Sequence, residues 1–420
     1  MIELTLTELV YREGYELKFD LFLTDRNDPK FKKELVQGTD FEVEKGKVTF
    51  KTVQPDSVYC QVLHSDFEGL YWKTSKFMVK NPEDIGESSL AFEFTTEKAV
   101  NEYVTMSLAA LESDSEVDID FGDGQLQTFK LKNYISPYGG SLTSALKGNT
   151  VKVYAKPGVQ LSTIYLTGQK VKSINLLSSY ALTDVDLSNN KLEEIDLSHQ
   201  FKLTKATLGR NQLKELVLSG KNTLSKLSVA DNQLEKLLID GCISITELDC
   251  SRNQLTELDL TLKPILSKVQ AVDNKLTNVK LSSESMRELW LSNNQLSELN
   301  CSKVPALERL GISGNRFKFS TLPVTNAEVI ATVQEPVDIA KKANMVDLSS
   351  ENSVRENQTE YVWKMKGTDS ELYEGEDYVI ENGITTFLVT NLDSVYCEMR
   401  NPINANMVLK TTCVKPAEAP

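Results

Sequence analysis

The sequence predicts a mostly-β chain: a solenoid of about eight coils of 20–21 residues, preceded by a β-rich cap and flanked by two copies of one β-sandwich module. Three observations carry this expectation. An amide recurs at Gln169, Asn190, Asn211, Asn232, Asn253, Asn274, Asn294 and Asn315, at spacings of 21 residues broken once by 20. Each interval holds two short apolar runs and has no room for a helix of about ten residues. Residues 38–60 also recur at 375–397 without a gap, with eleven positions identical.

Around each amide the pattern is L-x-x-L-x-L-x-x-N-x-L, as in Leu203, Ala206, Leu208, Asn211 and Leu213, which is the leucine-rich-repeat signature. The half-motif occurs twice per unit, for example Leu182, Val185 and Leu187, then Leu192, Ile195 and Leu197. These side chains point into the coil and stack on their counterparts above and below, so a unit buries its core only against its neighbours. The amides have a separate cause. A chain that turns inward after a strand leaves buried N–H and C=O groups, and an Asn side chain both donates and accepts there. Asn190, Asn211, Asn232, Asn253, Asn274, Asn294 and Asn315 are therefore expected to form a structural ladder.

Strand alternation assigns the open face, because residues flanking an inward leucine point away from the core. One outward column runs Tyr165, Asp186, Thr207, Ser228, Asp249, Gln270, Trp290 and Gly311, flanked by Thr163, Asp184, Lys205, Lys226, Glu247, Lys268, Glu288 and Arg309. At the usual strand spacing eight coils give a face about 35 Å long, which suits a protein surface or a polymer better than a metabolite. Two readings stand for Trp290: an interface anchor or sugar platform, or an indole leaning over Val272 and Gly311. Arg210 and Arg252, at the strand ends, read either as a site for an acidic group or as solvated turn charges.

The flanking copies each hold a hairpin, around Lys45-Gly46 and around Asn382-Gly383. Each ends in D-S-V-Y-C, Asp56 to Cys60 and Asp393 to Cys397. That ending resembles the tyrosine corner of immunoglobulin-like domains, which implies an Ig-like sandwich; neither copy has an upstream Cys for that family's disulfide. Between the first copy and the repeats, Val117, Ile119 and Phe121 alternate with Asp118 and Asp120 before the turn Gly122-Asp123-Gly124. This implies a strand with one apolar and one wet face, in a segment placed to cap the first coil. The segment from about Pro323 to Asp347 is the candidate cap at the other end, and Asp84 to Ser88 reads as a linker. The expected divisions are 1–82, 83–160, 161–322 and 323–420.

The net charge of −14 repels phosphate backbones and anionic lipid, so nucleic acid is a poor partner. No run of eighteen apolar residues suggests membrane insertion, and Met1 to Glu16 lacks the basic start and apolar core of a signal peptide. With only His64 and His199, catalytic triads and histidine metal sites have almost no raw material. Asp186 and Asp249 share the outward column but stand about 14 Å apart, too far for glycoside hydrolysis. The acidic set Glu112, Asp114, Glu116, Asp118, Asp120 and Asp123 is strung along a strand, which reads as a solvated face and not as a calcium loop. Cys250 and Cys301 fill leucine slots and read as buried hydrophobes; Cys397 and Cys413 are near enough in sequence to meet across neighbouring strands. A non-enzymatic monomer without cofactor is expected.

Ile245 to Arg252 (ITELDCSR) followed by NQLTELDL resembles the 21-residue repeats of internalin-like surface proteins, over Leu161 to about Leu322. VDIDFGDG at 117–124, then the repeats, then a module with LDSVYC, is similar to secreted leucine-rich-repeat proteins of Gram-negative gut bacteria. The resemblance implies an extracellular or outer-surface recognition protein binding a protein partner in adhesion or host contact, with a glycan as the alternative.

Overall fold

The computed structural model describes residues 88–134, 141–176, 178–389 and 392–416 in full, and before them the backbone of eight strands between Ile2 and Met78. The Asp84 to Glu87 part of the linker and the side chains of Tyr59 and Cys60 lie outside the described residues. The chain forms two compact units, residues 1–203 and 204–420. Both are built of strands, with no α-helix among the described residues.

In the first unit the cap and the first coils share their sheets. Strand Leu161–Tyr165 of the first coil pairs antiparallel with Tyr103–Ala110, and the coil's second strand Val171–Asn175 pairs antiparallel with Ser89–Thr96. The open apolar end of the solenoid is thereby covered by strands that also satisfy its backbone groups. Phe92, Phe94, Met106, Leu108, Ile119 and Phe121 fill the core between the two sheets, each with under 3% of its surface exposed.

Strand Ser115–Asp120 departs from the wet face expected of its carboxylates. Asp118 is buried, with Lys156 Nζ at 2.5 Å, and it accepts hydrogen bonds from Ser88 Oγ at 2.9 Å and Thr128 Oγ1 at 2.6 Å. The reason is local: Thr128 and Tyr154 flank Asp118 on the neighbouring strands, and Ser88 and Lys156 close over the carboxylate, so this one outward position is covered by side chains of its own sheet. Asp120 closes the turn: its Oδ1 accepts from the N–H groups of Gly122, Asp123 and Gly124 at 2.7, 3.1 and 2.9 Å. Burial alone would raise the Asp118 pKa, but hydrogen bonds from Lys156, Thr128 and Ser88 outweigh it and hold the carboxyl below its ordinary value. A depressed folded pKa stabilises the fold above the unfolded value near about 4, and the contribution is lost as pH falls through the folded value. Asp118→Asn is therefore expected to be less stable than wild type at about pH 7, with the gap narrowing as pH falls below the unfolded value near about 4, as read by urea unfolding. A gap independent of pH would exclude this account.

In the second unit, strands Lys205–Thr207, Lys226–Ser228, Glu247–Asp249, Lys268–Gln270, Glu288–Trp290 and Arg309–Gly311 form a parallel sheet, each in register with the next. The inward leucines are buried throughout, and Cys250 replaces one of them without exposure. Burial pushes the thiol pKa up to about 12 at Cys250 and about 11 at Cys301. Such groups behave as small hydrophobes. Cys397 and Cys413 are free, the first buried and the second exposed.

The amides bridge coil to coil. Asn253 Oδ1 accepts from Leu234 N–H at 2.9 Å, and its Nδ2 donates to Val229 O and Cys250 O, each at 3.0 Å. Asn274, Asn294 and Asn315 repeat this arrangement one coil further each time. The parallel sheet runs one coil past the Leu322 boundary read from sequence, because Glu328–Ile330 pairs with Arg309–Gly311. Gln334 supplies the last rung: its Oε1 accepts from Phe317 N–H and its Nε2 donates to Ile312 O, both at 3.0 Å. Its spacing of 19 residues from Asn315 (334 minus 315) and its longer side chain hid it from the repeat pattern. Beyond it, Val337 N–H donates to Lys410 O at 2.7 Å and Thr412 N–H to Val337 O at 2.8 Å, which ties the C-terminal module to the last coil.

That module has a four-stranded and a three-stranded antiparallel sheet. Trp363, fully buried, joins them: its Nε1 donates to Thr385 Oγ1 at 3.0 Å and its ring meets Phe387 edge-on at 4.9 Å. The hairpin around Asn382-Gly383 is present, as is its copy joining Phe41–Glu44 to Lys47–Phe50. Tyr396 does not reach back to a backbone group as in a tyrosine corner; its hydroxyl donates to Asp369 Oδ1 at 2.9 Å.

Candidate recognition surface

Register places Thr207, Ser228, Asp249, Gln270 and Trp290 side by side across five strands of the second unit. Each is half-buried, standing on a buried neighbour in the strand. The first four, with the flanking Lys205, Lys226, Glu247 and Lys268, line a shallow hollow of about 270 Å³. Its rim charges are partly neutralised. Lys226 Nζ meets Glu247 Oε1 at 2.8 Å, and Lys268 Nζ meets Glu288 Oε2 at 3.4 Å. Asp249 Oδ1 accepts from Ser251 N–H at 3.1 Å, which leaves Oδ2 pointing at no donor among the described residues. Lys205 likewise has no ion-pair partner among them. The hollow therefore offers one open anionic oxygen and one open cation about two strand spacings away, or roughly 10 Å.

Trp290 is not an upright platform. Its indole lies over Gly311, so closely that a Cβ there would stand 2.5 Å from Cε3. Its Nε1 faces Glu288 Oε2 at 3.4 Å. Glu288 also pairs with Arg309 and Lys268. Burial would raise its carboxyl pKa, but Trp290, Arg309 and Lys268 together hold it below the ordinary value. The i, i+2 pair Glu288 and Trp290 was visible in the sequence; the vacancy at Gly311 that lets the ring lie down depends on the next coil.

Arg210 and Arg252 are also engaged. Both flank Asp231: Arg252 forks onto its two oxygens, with Nη2 at 2.8 Å from Oδ2, and Arg210 Nε stands 3.7 Å away. All three residues have left-handed backbones, with φ of 57°, 58° and 53° for Arg210, Asp231 and Arg252. The coil turns sharply there so that the following Asn can face inward, and side chains of successive turns stack. Hydrogen bonding by Arg252, with its charge and that of Arg210, lowers the Asp231 pKa despite burial.

In the first unit Tyr165 and Asp186 stand in register on neighbouring strands. Gln169, the first amide of the series, turns to the cap: its Oε1 accepts from Thr105 N–H at 3.0 Å and Lys98 Nζ at 2.8 Å. Sequence reasoning missed the outward hydroxyls of Tyr103–Ala110 and Ser141–Ala145, although the alternation Y-V-T-M-S-L shows them. Among the described residues no group of three or more His, Cys, Asp or Glu has the geometry to hold a metal ion, and no helix is long and apolar enough to cross a membrane.

Repeat, inward leucines, amide ladder and parallel sheet together define a leucine-rich-repeat solenoid. No family model and no curated protein matches the sequence. Solved structures that are similar in part include the functional domain of InlJ from Listeria monocytogenes, described as including a cysteine ladder, at 20% identity and TM-score 0.36 over 60% of this chain and 66% of that one. The leucine-rich repeat domain of APL1B matches at 16% identity and TM-score 0.37, over 42% of this chain and 58% of that one. YopM from Yersinia enterocolitica WA-314 matches at 26% identity and TM-score 0.30, over 39% of this chain and 40% of that one. The chain spans less than two thirds of the length of each.

Proposed function

We propose that the chain is a non-enzymatic recognition protein that binds a protein partner through the outward face of its second-unit coils, centred on the hollow at Asp249. The supporting observation is that four successive coils present polar side chains there in strict register, with Asp249 Oδ2 and Lys205 open. A face of this kind reads a partner by placing opposite charges at fixed separations; such contacts set specificity and encounter rate. The partner segment carries a cation for Asp249 and a carboxylate for Lys205. We place this activity outside the cell, following the resemblance of the repeats, with the flanking modules as sandwich-like caps and spacers, a reading supported by the two antiparallel sheets of the C-terminal one.

An array of extracellular protein domains probed with the full chain tests the reading. At least one domain is expected to bind, and the double change Lys205→Glu with Asp249→Lys is expected to weaken it by about a hundredfold, the scale of losing two complementary charge contacts. Swapping the ion pair of the other strand row, Glu215→Lys with Lys236→Glu, should leave affinity unchanged. Binding that ignores the first change and follows the second would move the site off this face.

A further inference from the structure

The cap strand Tyr103–Ala110 buries Val104, Met106 and Leu108 and turns Tyr103, Thr105 and Ser107 outward. On one side Thr105 faces Thr143 and Ser107 faces Ser141, with hydroxyl oxygens 3.0 and 2.9 Å apart. On the other side Ser107 faces Tyr165, which in turn faces Asp186 on the next strand. One row across four strands therefore reads Ser141, Ser107, Tyr165, Asp186. No outward side chain of the strands Ser141–Ala145, Tyr103–Ala110 and Leu161–Tyr165 is charged, in a chain of which 25% is charged. Two atoms in the row are open: neither the Tyr165 hydroxyl nor Asp186 Oδ2 has a hydrogen-bond partner among the described residues, Asp186 Oδ1 being used by Ser188. The half-buried Tyr165 has its pKa raised by burial, with Asp184 and Asp186 adding to it, so the phenol stays a donor.

We propose that this face of the first unit binds a neutral polysaccharide, with the Tyr165 ring stacked on a sugar and Asp186 Oδ2 and the Ser107 hydroxyl bonding its hydroxyl groups. A ligand covering these residues must offer donors and acceptors everywhere, since a Ser or Thr hydroxyl buried without a partner costs free energy. Sugar hydroxyls do so, and the tyrosine ring supplies the amphipathic surface that a pyranose face matches. Protein interfaces are depleted in Ser, and nucleic acid needs cations that this face lacks. The row is open and about 14 Å across, which fits a run of sugar units and not a single one. The site lies on strands other than those of the protein-binding hollow, so either assignment stands or falls alone.

Affinity electrophoresis of the full chain through gels containing dextran, laminarin, glucomannan or xylan, with alginate as the anionic comparison, tests this. At least one neutral polymer is expected to retard wild type. Tyr165→Ala should weaken that binding about tenfold or more, and Tyr165→Phe by less than about threefold, since the ring carries the stacking. Ser107→Ala, which removes one hydroxyl proposed to bond the sugar and adds no bulk, should weaken it about threefold or more, which guards against a folding defect in Tyr165→Ala. Lys205→Glu with Asp249→Lys should leave it unchanged. Retardation by none of the neutral polymers, by alginate alone, or equally in wild type, Tyr165→Ala and Ser107→Ala would overturn the proposal.

Discussion

Gly122→Ala is expected to destabilise the first unit by about 4 kcal/mol, from a strained backbone and from overpacking together. Gly122 has φ of +108°, and a Cβ there would stand 2.5 Å from Gly148 N and 2.6 Å from its Cα. Both obstacles are backbone, so no side chain can swing aside. The two segments are also locked together, because Lys147 and Gly148 N–H both donate to Phe121 O, at 2.9 and 3.2 Å, while Asp120 holds the turn from the other side. Relief of the clash must break one of these sets. Gly124→Ala is the internal comparison: φ is +78° with nothing within 4 Å, so only the conformational cost of about 1 kcal/mol remains. Urea unfolding of the two variants, with hydrogen exchange at Lys147 and Gly148, measures the difference. Equal effects would mean that the close approach to Gly148 carries no weight.

Asn253→Leu is expected to cost about 1–3 kcal/mol, set mainly by one group. The carbonyls of Val229 and Cys250 are shared between rungs, the first with Asn232 and the second with Asn274, so each keeps a donor when Asn253 is lost. Leu234 N–H is different. Asn253 Oδ1 accepts it at 2.9 Å in a buried setting, and leucine offers nothing in its place. A buried N–H without an acceptor costs far more than a hydrogen bond contributes on average. Asn253→Asp keeps the acceptor but turns a carboxylate toward carbonyl oxygens, so it should be worse than Leu at about pH 7; burial and the carbonyls raise its folded pKa, so stability should recover as pH falls through that raised value, fully by the unfolded value near about 4. Chemical unfolding followed by circular dichroism, together with exchange of the Leu234 amide, reads both effects. A loss below about 0.5 kcal/mol for Leu would show that the ladder is ornamental to stability.

The alternation of the repeats was legible because each coil restates it: Leu227, Leu248, Val269 and Leu289 point inward one after another. The ladder was legible for the same reason up to Asn315. It failed at Gln334, where the spacing shortens and the rung side chain changes. Asp118 failed for another reason. Its alternation was read correctly as a direction, but Lys156 and Thr128, brought alongside by strand pairing, cover the outward carboxylate.

The candidate faces show the same division. Which residues point outward at Trp290, Arg252, Tyr165 and Asp249 follows from a two-residue period and needs no coordinates. Whether such a residue is available depends in two cases on a group 21 residues away that stacking brings alongside: Gly311 beneath the Trp290 indole and Asp231 against the Arg252 guanidinium. The solenoid, its inward stripe and the direction of each outward column can be read from the order of residues, since these features are local and periodic. Which outward groups are already paired, and which cap strands join the face, emerges from the folded arrangement, because such contacts turn on distances of a few ångströms between residues that are remote along the chain.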